Sequence, residues 1–402
     1  MNRFQLRAGG VLAGVAMTAM PMIASAGITL YEEGEKSLEI GGRLQPQYRL
    51  VDGDNEGAEG SDSGDDFFLR RMRFYIEGTV TENIYGIWQV DFGDTSDDPE
   101  VKDAFINYSG LPMGNITVGN ANVPFSRELL TSSKRQQFVE RTVVGDHNFG
   151  VPDRQMGVTY NLDDNDMVQG SIGVYQAGID PSFSKIDFES RVSSDAEYFG
   201  NMVAGRVDIT PLGAFKMAQG AFGEDTRFGI GLNAFTWNND DDISEGDIQN
   251  QFDTVNGYGV DAAFRAGYFS MDAGVQYFDA DTIDGADTAT GLVNEDGDAQ
   301  FTTYLVKAGY MVVPSKLEFV AGFSALDPDD GFYAGGENYD DTDKRYSAGL
   351  NYFFNKHNAK IQLTYEMGRD VLYTNDANGQ VETPSNIGSD QNTLFLQFQQ
   401  VL

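Results

Sequence analysis

Two stretches of this sequence place arginines at even spacing, Arg43 with Arg49 and Arg71 with Arg73. Side chains alternate between faces in an extended chain, so residues an even number apart face the same way. Arg206, Arg265, Lys307, Arg345 and Lys360 also take polar positions in alternating segments. A guanidinium presents its donors in a planar fork that fits the oxygens of a phosphate-like anion. A row of such groups facing a water-filled space would replace the hydration an entering anion loses. Asp91, Asp208 and Glu366 share those polar faces. They could instead pair with the arginines and leave a wall with no preference, or one for cations.

A second basic group is close in sequence. Between Asn122 and Arg141, the residues Arg127, Lys134, Arg135 and Arg141 outnumber Glu128 and Glu140. Leu129, Leu130, Phe138 and Val139 could anchor short helical turns there. A basic loop with apolar anchors can fold into an enclosed space and narrow it; the other reading is an ordinary surface loop. Other chemistry has few residues to use. The chain has no cysteine and two histidines, His147 and His357. No disulfide or thiol metal site is therefore expected, and no cofactor. One histidine at each of two remote places is a poor basis for catalysis, so an enzyme is not expected. The formal charge of −35 would repel nucleic acid.

The elements that must carry these residues have a period of two. From Lys36 to Val51, Ile40, Leu44, Tyr48 and Leu50 share one face, and Glu39, Arg43, Gln45, Gln47 and Arg49 the other. From Phe67 to Val80, Arg70, Met72, Phe74, Ile76 and Val80 oppose Arg71, Arg73, Tyr75 and Glu77. The pattern persists to Ile361, Leu363 and Tyr365 against Lys360, Gln362, Thr364 and Glu366. This is the signature of half-buried strands. Short connections near 81–83, 110–114, 163–166, 210–214, 266–268, 313–315 and 355–358 alternate with eight long ones, the third covering 121–153. Fifteen connections require sixteen strands, with both termini at the short-turn end.

Residues 1–26 read as a signal peptide. Arg3 and Arg7 precede the apolar run Val11 to Ile23, and Ala24-Ser25-Ala26 is a cleavage pattern. Residues 27–402 are then one domain. No later stretch is long and apolar enough for a transmembrane helix. In lipid, strands can satisfy their backbone groups only in a closed barrel. The expected fold is therefore all-β: a transmembrane antiparallel β-barrel of about sixteen strands with an inward-folded third long loop. Its place would be the outer membrane of a diderm bacterium, against lipid and lipopolysaccharide. The long loops 52–66, 238–255, 280–299 and 327–343 contain 7, 6, 6 and 7 acidic residues and no lysine or arginine. They would form an acidic exterior above a basic inner path.

Several segments resemble one family. Phe68-Leu-Arg70-Arg71-Met-Arg73-Phe-Tyr-Ile-Glu-Gly78 is similar to the arginine-rich second strand of the phosphate-selective porin O/P family. So are Gln89 to Gly93, Lys102 to Tyr108 and Gly349 to Phe354, while Val118 to Arg141 fits its constriction-loop pattern. The chain departs from such barrels in ending on Leu402 rather than phenylalanine. The resemblance implies a sixteen-stranded homotrimeric channel for small anions, phosphate or polyphosphate, guided along an arginine ladder past a basic constriction. Arg43, Arg71, Arg73 and Arg206 look like the ladder. Arg127, Lys134, Arg135 and Arg141 look like the loop's cations, with Lys134 and Arg135 nearest the constriction. Lys307 and Lys316 are candidates for a deeper lysine cluster. The competing expectation is a non-selective or cation-preferring general porin whose lumen charges are paired.

Overall fold

The computed structural model describes residues 27–53, 64–93, 99–165, 167–179, 185–190, 192, 199–214, 216–239, 252–283, 292–294, 298–329, 332–334, 337–339, 341–372, 374–375, 381–382 and 389–402. Residues 1–26, where a signal peptide is expected, and much of the expected acidic loops lie outside the described residues. Sixteen strands close the barrel. They are β1 Lys36–Gly53, β2 Gly64–Thr81, β3 Ile84–Asp91, β4 Glu100–Leu111, β5 Gly114–Asn122, β6 Arg154–Asn165, β7 Val168–Gly178 and β8 Phe199–Ile209. The circuit continues with β9 Glu224–Asn239, β10 Phe252–Gly267, β11 Phe269–Thr282, β12 Asp298–Val313, β13 Leu317–Pro328, β14 Asp343–Asn355, β15 Ala359–Val371 and β16 Ser389–Val401. Each strand pairs antiparallel with the next, and β16 closes on β1 with Leu44 opposite Gln400 and Leu50 opposite Leu394. Closure leaves no free edge in the membrane. Alternation sets the faces: Met72 and Phe74 point out, while Arg71 and Tyr75 are buried within.

Two features depart from the expected layout. A further strand, Ile28–Glu33, pairs with Lys36 to Ile40 of β1 through a turn at Gly34, whose φ is +62°. The reason is geometric. β16 ends opposite Arg43, so the first part of β1 has an uncovered edge that the chain's own N-terminal segment fills. The second departure is the connection after β8. A short turn over 210–214 was the expectation, but β9 begins at Glu224. Residues 211–214 and 216–223 leave the wall instead, with Gly213, Gly220 and Gly223 all at positive φ. Glycine reaches that region without the Cβ penalty that other residues bear.

The interior is not uniformly polar. Tyr175, Met202, Phe235, Trp237, Phe278 and Phe301 point inward from β7 to β12 and are buried. Val123, Phe125, Val144, Phe149, Ile186 and Phe188, from residues 123–153 and 185–190, pack onto them. Each buried phenylalanine contributes about 1.5–3 kcal/mol relative to exposure. The segment 123–153 contains a single helical turn, Arg127–Leu130, whose first turn is capped by Ser126. Two tight turns, Ser133–Arg135 and Val143–Gly145, follow. Inward glycines make room: a Cβ on Gly309 would collide with the Gln137 side chain.

Candidate anion path

β1 and β2 place Arg43 directly opposite Arg73, and β3 places Asp91 opposite Arg73. Like charges opposed across a ladder destabilise it. Asp91 relieves one of the two: Arg73 Nε donates to Asp91 Oδ2 at 2.5 Å. The second oxygen of Asp91 accepts from the Met72 and Gly93 backbone N–H groups at 2.9 and 3.1 Å. Arg43 has no such relief. It is 7% exposed, and its Nε and Nη1 find no hydrogen-bond partner among the described residues. Arg73, Arg71 and Arg141 surround it electrostatically, with Asp91 as the opposing charge.

Arg71 lies one step further along. Its Nη1 reaches Gln45 Oε1 at 3.5 Å, and its Nη2 is 3.7 Å from Glu140 Oε2. Arg70 joins it, which alternation alone does not allow. The pairing passes from Gln45 opposite Arg71 to Pro46 opposite Leu69, leaving Arg70 as the extra residue of a β-bulge. Proline cannot donate to the ladder, so a bulge at Pro46 has a direct cause. Arg70 Nε then donates to Glu140 Oε1 at 2.9 Å. Burial would raise the Glu140 carboxyl, but Arg70 and Arg71 outweigh it and hold it down at about 2.

The segment 123–153 brings Lys134 and Arg141 to the same region. Four successive carbonyls of its tip are held. Lys134 O accepts from Gln399 Nε2 at 3.0 Å and Arg135 O from Gln219 N at 3.1 Å. Gln136 O accepts from Lys360 Nζ at 2.8 Å and Gln137 O from Asn351 Nδ2 at 2.9 Å. The Lys134 side chain is buried, and its ammonium is lowered to about 8 by burial and then by Arg43, Arg135 and Arg73, against Glu77. Arg141 donates to the carbonyls of Leu129 and Thr131 at 3.2 Å each, where the helical turn leaves them unpaired. Arg135 is half-buried beside them.

The other named residues stand elsewhere. Arg206, on β8, donates to Asp261 at 2.7 Å from both Nη atoms and to Asp208 at 2.6 and 2.7 Å. Gly231, facing inward on β9 between them, has no side chain to block that reach. Arg127 Nε is 3.4 Å from Asp272 Oδ1, which also receives Arg265 Nη2 at 2.9 Å. Lys307 Nζ donates to Glu128 Oε1 at 2.5 Å, so it forms no lysine cluster. Lys316 is exposed at the short-turn end. Arg345 is paired with Asp343 at 3.0 Å and Glu366 at 3.2 Å. Of the eight residues named from sequence, Arg43, Arg71, Arg73, Lys134 and Arg141 are therefore gathered, with Arg135 beside Lys134. Arg206 and Arg127 belong to ion pairs on another wall. Arg70 was placed on the wrong face; Pro46 on the paired strand, three residues after the inward Arg43, was the available signal.

Among the described residues, no group of three or more histidine, aspartate or glutamate side chains could hold a metal ion. The site offers charge and hydrogen-bond donors, which suit an oxyanion. The profile of the family described as phosphate-selective porin O and P matches residues 38–400. The chain belongs to that family. A protein of Aquifex aeolicus (strain VF5) is 25% identical over 307 residues, 68% of this chain and 69% of the other. The anion-selective porin from Comamonas acidovorans superposes with a TM-score of 0.57 at 12% identity, over 92% of this chain and 100% of that one. The outer membrane channel DcaP of Acinetobacter baumannii superposes at 0.54 and 13%, over 92% and 98%. At such identities these porins share the fold. Family and fold are those of an outer-membrane channel.

Proposed function

We propose that this porin carries small phosphate-like oxyanions by passive diffusion along the β1–β3 wall. Arg43, Arg71 and Arg73 form the path there, and Lys134, Arg135 and Arg141 make the segment 123–153 a constriction loop. The observation that carries this reading is Arg43, a buried cation among cations with free donors. Leaving a buried charged donor unmade is costly, and an anion in the path would offset that cost. The family's description as phosphate-selective and the anion-selective Comamonas porin support the same reading. Export by the leader 1–26 and assembly as a homotrimer in a lipopolysaccharide-bearing membrane belong to this proposal. OmpT of Vibrio cholerae, a structural neighbour at a TM-score of 0.53, is described in a trimer form.

The test is phosphate block of chloride current across a planar bilayer. Wild type is expected to be blocked, and Lys134→Ala with Arg135→Ala to need more phosphate for the same block. The second reading, a non-selective or cation-preferring channel, is favoured by the pairs Arg206–Asp261, Arg265–Asp272 and Lys307–Glu128. Reversal potential in asymmetric potassium chloride separates the two. At 1 M salt the Debye length is about 3 Å, so exposed loop charge is screened. A cation preference that survives there would sink the phosphate reading.

A further inference from the structure

The connection 210–223 enters the barrel from the short-turn end and meets the basic loop. Ala218 O accepts from Arg265 Nη2 of β10 at 2.7 Å. Gln219 is 2% exposed and uses three of its polar groups at once. Its backbone N–H donates to Arg135 O at 3.1 Å, and its Oε1 accepts from the Gln137 backbone N–H at 2.8 Å. Its carbonyl faces His357 Nε2 at 3.0 Å, so that nitrogen must be the donor. Three residues on, Phe222 packs edge-on against Phe353 and His357, at ring distances of 4.9 and 5.2 Å. Lys356 Nζ stands 5.7 Å from the Phe222 ring.

We infer that this connection is an internal brace in which Gln219, seated by Phe222, positions the Lys134–Gln137 tip of the segment 123–153. The inference rests on the anion-path reading and names the element that holds the loop's cations in place. Side chains of β14 to β16 hold the carbonyls of Lys134, Gln136 and Gln137. Among the described residues, Gln219 alone holds the Arg135 carbonyl and the Gln137 N–H, and does so from the short-turn end. With the tip's backbone fixed toward β14–β16 and the brace, Lys134 stands within electrostatic reach of Arg43 and Arg73. Gln219 and Phe222 are positioning residues: neither touches the anion, and both act through where Lys134 sits. A plain short turn at this place would leave the tip with wall contacts only.

The chain has no native cysteine, so Arg135→Cys gives one attachment point for a nitroxide. The barrel is studied full length in detergent, with Gln219→Ala or Phe222→Ala added. Both are expected to raise nitroxide mobility, and Phe222→Tyr, which keeps the ring, to restore it. If Phe222→Ala fails to fold, Phe222→Leu takes its place. Without the nitroxide, channels with Gln219→Ala should lose part of their anion preference. The pH at which that preference declines should also move up from near 8 toward the ordinary lysine range, because Lys134 has left Arg43. An altered stability alone would not move that midpoint. A nitroxide equally immobile in both variants overturns the brace, as does an unmoved midpoint. Wild-type channels without anion preference would count against the transport reading, and the nitroxide would still decide the brace.

Discussion

The two halves of the lumen carry similar residues and treat them differently. On β8 to β14, the inward arginines each bond a carboxylate: Arg206 has Asp208 and Asp261, Arg265 has Asp272, and Arg345 has Asp343 and Glu366. On β1 to β3, three arginines share Asp91 and the loop's Glu140, and Arg43 has neither within bonding distance. The first wall uses charge to hold the segment 123–153: Arg206 also donates to Phe125 O at 2.7 Å, and Lys307 ties down Glu128. The second leaves Arg43 with donors unmet, and it is the wall along which we propose that anions pass. Counting cations does not separate the two walls; pairing does.

The sharpest way to break that comparison is to remove one arginine from each wall. Arg206→Ala strands the buried Asp261 and the half-buried Asp208, and losing one partner of a buried pair costs about 3–5 kcal/mol. The temperature at which the barrel loses its folded mobility on a gel should fall steeply, while phosphate block changes little. Arg43→Ala should do the reverse. It removes a buried, repelled cation, so thermal stability should hold or rise. Phosphate block should weaken by roughly 10- to 100-fold, since a hydrogen bond to a charged group is worth about 1.5–3 kcal/mol. If Arg206→Ala abolished block and left stability alone, the assignment of the two walls would be reversed.

The sequence shows the walls more clearly than their pairing. Period two places Arg43, Arg71 and Arg73 inside, because one face must meet lipid, and the turn rhythm gives sixteen strands. Asp261 lies two strands from Arg206, so their pair needs the register and a glycine at 231, neither visible in local alternation. Arg70 faces inward only because Pro46, on another strand, forces a bulge. The brace was hidden for a different reason. Residues 210–214 pass for a plain short turn, and the glycines at 213, 220 and 223 were the available sign of a longer connection. The apolar packing of Phe235 and Trp237 against the loop depends on long-range contacts that a single strand does not report.

A smaller effect tests the proposed path. Lys134 loses its proton near pH 8, because burial and Arg43 both oppose its charge. Arginine stays charged well beyond that range. Anion preference read from reversal potential should therefore decline between pH 7 and 9 in wild type and stay level in Lys134→Arg. A level wild-type profile would mean that Lys134 does not face the path.

The smallest effect concerns how the loop is tied at the long-loop end. His147 Nδ1 lies 2.6 Å from Asp187, which also holds Lys185 at 3.0 Å, and Phe149 bridges Ile186 beside them. Burial would lower the His147 imidazole, but Asp187 outweighs it and raises it to about 9. A raised value means that the folded state holds the proton more tightly than the unfolded one. This contribution is complete below the ordinary histidine value near 6.5 and is lost as pH rises through about 9. Lys134 works in the opposite sense: its lowered value makes the unfolded state bind more protons above pH 8, so its term gains with pH. The two oppose each other in any single melting curve. The difference between wild type and His147→Gln removes the lysine, and that difference should shrink from pH 7 to pH 10. It should stay modest, because Lys185 keeps Asp187 paired after His147 is neutral. A difference that grew with pH would show that the His147–Asp187 contact does not tie the loop down.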